Sequence, residues 1–86
     1  MSPVAAQTIA LDALTWVLER ENEREAFLTA SGSSPGELRE GSQDPLLLAA
    51  ILDHVLSRES SAREFCESRD LTGRDLQLAR HVLGGP

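Results

Sequence analysis

The feature that most constrains the fold is the run Asp44-Pro45-Leu46-Leu47-Leu48-Ala49-Ala50-Ile51-Leu52-Asp53-His54-Val55-Leu56. Asp44 can cap a helix N-terminus through its carboxylate. Pro45 fits the first helical position, where no backbone N–H is needed. At 100° per residue, Leu47, Ile51, Val55, Leu48, Leu52 and Leu56 share one arc of about 180°, with Asp53 and Ser57 opposite. So wide an apolar arc requires other helices around it. The longest unbroken apolar stretch, Leu46 to Leu52, falls far short of the ~20 residues that span a bilayer.

The other helices announce themselves by their ends. Ser2-Pro3 is a second cap-proline pair, and the helix behind it runs to about Arg20. Thr8, Asp12, Thr15 and Glu19 form a narrow polar strip on it, and apolar residues cover the rest. Asn22 with Glu25 has the form of a capping box for a helix carrying Ala26, Phe27 and Ala30, which Gly32 stops. Ser34-Pro35-Gly36-Glu37 is the clearest start signal, opening a short helix through Leu38 and Arg39 that ends at Gly41. Ser61 with Glu64 makes another box, for a helix bearing Phe65 and Cys66 inward. Thr72-Gly73-Arg74-Asp75 starts the sixth helix, with Leu71 and Leu76 as its staple and Leu76, Ala79, Val82 and Leu83 as its inward stripe. Gly84-Gly85-Pro86 is expected to be a frayed tail.

An offset of 38 residues superposes these signals. Leu14 falls on Leu52, Val17 on Val55, Leu18 on Leu56, Arg20 on Arg58, Phe27 on Phe65 and Leu38 on Leu76. Asn22 falls on Ser60, Ser34 on Thr72 and Glu37 on Asp75. Caps, aromatic and apolar phase agree at one offset without a gap, which predicts two tandem three-helix repeats. The expected fold is all-α: one compact six-helix bundle over residues 1–86, with repeat 1 at about 3–41 and repeat 2 at about 44–83.

The net charge is −6, and all eight basic residues are Arg. Such a chain is repelled by phosphate backbones and anionic membrane surfaces. The single Cys cannot form an internal disulfide, and no basic stretch precedes an apolar run at the N-terminus. The expectation is a reducing compartment and a cytoplasmic location.

Candidate chemistry is sparse. Cys66 falls on a predicted inward face and reads as a packing residue rather than a nucleophile. His54, His81 and Cys66 match no ligand spacing, so no metal or other cofactor is expected. Glu19, Glu21, Glu23 and Glu25, with Arg20 and Arg24 between them, read as a solvated helix junction of mixed charge. Trp16 and His54 lie at the edges of their apolar arcs and are the candidate exposed anchors for a partner. Residues 65–83 also have the outline of a helix-turn-helix, in which Arg74, Gln77, Arg80 and His81 would face nucleic acid. Against it stand Asp75 in the first turn of the reading helix and the scarcity of cations for phosphate contacts.

Several stretches resemble an uncharacterised bacterial family, domain-of-unknown-function family 3572. They are Ala26-Phe27-Leu28-Thr29-Ala30-Ser31-Gly32-Ser33-Ser34-Pro35-Gly36-Glu37-Leu38-Arg39, then Asp44-Pro45 with its Leu-rich helix through Leu56, then Glu64-Phe65-Cys66 with Leu71-Thr72. The ending Leu83-Gly84-Gly85-Pro86 looks like the family's Gly/Pro-rich terminus. Ser33 departs from the pattern, since the family usually has an apolar residue there. The resemblance rests on caps and core positions. It implies a small helical protein, mostly of alphaproteobacteria, with no assigned activity and no functional residues to carry over. The expected function is that of a small non-catalytic interaction module, engaging a protein partner or a second copy as a homodimer, with no small-molecule substrate inferred. The alternative is helix-turn-helix DNA binding through residues 65–83.

Overall fold

Six helices form in the order the caps predict, and no strand occurs among the described residues. The computed structural model describes residues 1–84, apart from the side chain of Pro35. The helices are α1 (Pro3–Glu19), α2 (Glu21–Ser31), α3 (Pro35–Glu40), α4 (Pro45–Leu56), α5 (Glu59–Arg69) and α6 (Gly73–Gly84). Gly84, expected in the frayed tail, belongs to α6, and residues 85 and 86 lie outside the described residues.

Four starts follow the expected chemistry. Ser2 Oγ accepts from the Ala5 N–H, and Asp44 Oδ1 accepts from the Leu46 N–H. Ser34 and Glu37 exchange side-chain and backbone bonds in a full capping box, and Thr72 and Asp75 do the same ahead of α6. Two starts differ. Helices α2 and α5 begin at Glu21 and Glu59, and their N-cap residues, Arg20 and Arg58, make no side-chain cap bond. The boxes expected at Asn22–Glu25 and Ser61–Glu64 do not form. Ser61 is buried, and its hydroxyl is given to another helix. A cap bond inside one helix lost to a bond between two.

The core belongs to α4, α1 and α6. On α4, Leu48, Ile51, Leu52 and Val55 are buried, as its wide apolar arc requires, whereas Leu46 stands in solvent. Helix α1 presents Ala6, Ala10, Ala13 and Val17 at helical spacing. That row of small side chains lets neighbouring helices approach closely. Helix α6 packs along both α1 and α4 through Leu76 and Ala79. Helices α2 and α5 lean on this core through Phe27, and through Phe65 and Cys66. The short α3 is pinned by the fully buried Leu38.

The second and fifth helices match in length, start and stop when shifted by one offset, and their caps have similar backbone angles at Arg20 and Arg58. Both end on a left-handed residue, Gly32 (φ 71°) and Asp70 (φ 55°). Only glycine adopts that conformation without strain against its own Cβ. Asp70→Gly should therefore raise stability by about 0.5–1 kcal/mol, and Gly32→Ala should lower it by about 1 kcal/mol. Urea unfolding of the two variants checks both signs.

Candidate functional site

The polar centre of the molecule is Glu23, on α2. Its side chain is 13% exposed, and three partners from two other segments converge on it. Ser61 on α5 donates to Oε1 at 2.6 Å. His54 on α4 places Nε2 3.1 Å from Oε2, and Arg58 at the start of α5 places Nη1 3.4 Å from Oε1. An ionised carboxylate can only accept, so the hydrogen between Glu23 and His54 resides on Nε2. The expected solvated junction thus fails at one residue. Glu19, Glu21 and Glu25 are exposed, while Glu23 turns inward to tie α2 to α4 and α5. The two arginines of the junction are also occupied. Arg20 Nη1 donates to the Trp16 carbonyl, and Arg24 Nη1 to that of Leu18, satisfying carbonyls left open at the end of α1.

Burial on its own would raise the Glu23 carboxyl. The Ser61 and His54 hydrogen bonds, with the charges of Arg58 and His54, outweigh it and hold the group below the ordinary carboxylate range. Because the unfolded chain then takes up the proton more readily, this contribution is complete at neutral pH. It is lost as pH falls through the carboxylate range. Urea midpoints between about pH 7 and about pH 3 should fall less steeply for Glu23→Gln than for the wild-type protein.

Trp16 and His54 are less accessible than expected. Trp16 is 1% exposed. Its ring meets Phe65 edge-on at 5.9 Å, and the Arg20 guanidinium lies 4.1 Å over its face. A residue at the edge of the α1 arc is thus covered by α5, and by the arginine that follows α1. Its Nε1 is buried without a hydrogen-bond partner. His54 retains 10% exposure and meets Phe27 edge-on at 5.4 Å. The offset of 38 residues puts Trp16 on His54 and Phe27 on Phe65 but names no contact between them, so the meeting of Trp16 with Phe65 and that of Ser61 with Glu23 had no signal in the sequence.

One face of His54 still borders solvent. It lines a shallow opening of about 330 Å³ with Phe27, Ala30, Ser31, Ala50, Asp53 and Ser57. The walls are small or apolar, and Asp53 at the rim is engaged by Arg80 at 2.8 Å. That ion pair removes Arg80 from the group expected to face nucleic acid. Arg74, Gln77 and His81 are exposed on α6. Cys66 is buried, and burial together with the Asp75 charge pushes its thiol up, away from the reactive thiolate. Among the described residues, no three His, Cys, Asp or Glu side chains are grouped to hold a metal, and no helix is long and apolar enough to cross a membrane.

These features define a small all-helical domain braced by one inward-facing carboxylate. The model of a family described as a protein of unknown function, DUF3572, matches residues 3–86, and the chain belongs to that family. No curated protein and no solved structure matches it significantly.

Proposed function

We propose that the protein is a non-catalytic interaction module whose opening beside His54 receives an apolar side chain of a protein partner. The opening carries this reading. Phe27 and His54 form its back, Ala30 and Ala50 leave space, and Ser31, Asp53 and Ser57 supply a polar rim. An apolar centre inside a polar rim is the usual anatomy of a protein contact. The order of the polar cluster supports the non-catalytic part. Serine hydrolases put the imidazole between hydroxyl and carboxylate. Here the carboxylate stands between Ser61 and His54, and with its lowered pKa it is a weak base. The same reading treats residues 3–41 and 44–83 as copies of one unit. Its support is the matching bounds of α2 and α5 and the exchange of aromatic partners. In it, α3 and α6 have diverged, since α6 is twice as long and has entered the core.

Ala30→Glu tests the reading, since Ala30 is exposed and the change leaves the interior alone. Proteins captured from source-cell extract by the wild type should be lost with the variant. A photo-crosslinker at Ser31 should join the same protein. Capture unaffected by Ala30→Glu would overturn the assignment. Exposed Arg74, Gln77 and His81 favour DNA as the second reading, while Arg80 and Asp75 are already engaged elsewhere. A salt-dependent DNA shift abolished by Arg74→Ala would establish it in place of the first.

A further inference from the structure

A second cleft, of about 370 Å³, lies where the end of α1, the middle of α2 and the end of α3 meet, lined by Leu18, Arg24, Glu25, Leu28 and Arg39. From it we infer a binding site for a small monoanion with a short aliphatic tail, a carboxylate in its simplest form. Leu18 and Leu28 are half-buried and supply an apolar floor. Neither the Arg24 nor the Arg39 guanidinium is ion-paired with a carboxylate among the described residues, although the arginines at 58, 63 and 80 all are. Arg24 is held in place by its bond to the Leu18 carbonyl, 3.2 Å long, which uses only part of its donor set. Arg39 follows Leu38, whose complete burial fixes that end of α3. Glu25 on the same rim leaves the cleft one net positive charge, which suits a monoanion.

The other half of the molecule provides an internal comparison. At the corresponding place, Ala62, Arg63 and Cys66 line a cleft together with Glu59 and Glu67, and Arg63 is already paired with Glu59. That cleft has two acids and no free cation on its lining, so the site is specific to the first half.

Titrating the 15N-labelled protein with sodium hexanoate tests the assignment, with hexanol and inorganic phosphate as comparisons at constant ionic strength. Hexanoate should give saturable shifts at Leu18, Arg24, Leu28 and Arg39. Hexanol, which lacks the charge, and phosphate, which lacks the tail, should each bind more weakly. Arg39→Gln, an exposed change that keeps the fold, should weaken hexanoate about two- to fivefold, the effect of one lost exposed charge contact. The assignment is overturned by any of three results: no saturable shift with hexanoate, equal shifts at Ala62 and Cys66, or affinity unchanged in Arg39→Gln. Phosphate saturating the same residues as tightly as hexanoate would likewise overturn the role of the tail.

Discussion

Trp16→Ala should remove about 3–5 kcal/mol of folding stability, the range for deleting a large aromatic from a closed core. Trp16 is 1% exposed, and Phe65 and Arg20 close over it, so little can collapse into the space it leaves. A domain of this kind holds only about 5–15 kcal/mol in total. The variant should therefore unfold at much lower urea concentration, read by far-UV circular dichroism. Trp16→Phe separates two effects. It keeps an aromatic ring against Phe65 but removes the buried Nε1 donor, which has no partner. An unsatisfied buried donor costs about 1–3 kcal/mol, so its removal offsets part of the lost volume. Trp16→Phe should cost less than half as much as Trp16→Ala.

Glu23→Ala should cost about 2–4 kcal/mol at neutral pH. It leaves the buried Ser61 hydroxyl and the His54 Nε2 without an acceptor, and it unties α2 from α4 and α5 together. Arg58 adds little to this, because its side chain is about half exposed and its 3.4 Å contact is screened by solvent. Glu23→Gln should lie between the wild type and Glu23→Ala, since the amide oxygen can still accept from one partner.

Local signals carried the helices whose ends are decided locally. Ser34, Asp44 and Thr72 bond to backbone groups two or three residues away, and a short motif contains all of that chemistry. The apolar arc of α4 was equally legible, because Ile51, Leu52 and Val55 are buried by periodicity alone. What stayed hidden is decided over long separations. Ser61 and Glu23 stand in cap-like contexts, and nothing adjacent to either shows that they bond to each other 38 residues apart. The same holds for Trp16. Its position at the edge of the α1 arc suggests exposure, and only the placement of Phe65 and Arg20 closes it off. His54 also lies at an arc edge that suggests exposure, yet its side chain is only 10% exposed. Its coverage by Phe27 and Glu23 depends on how α2 folds back on α4.

A double-mutant cycle on Glu23→Gln and Ser61→Ala, measured by urea unfolding at neutral pH, tests most directly whether this carboxylate holds the helices together. Coupling of about 1 kcal/mol or more, shrinking as the carboxylate is protonated in acid, is the expected result. Additive effects, agreeing to within about 0.3 kcal/mol at every pH, would contradict it.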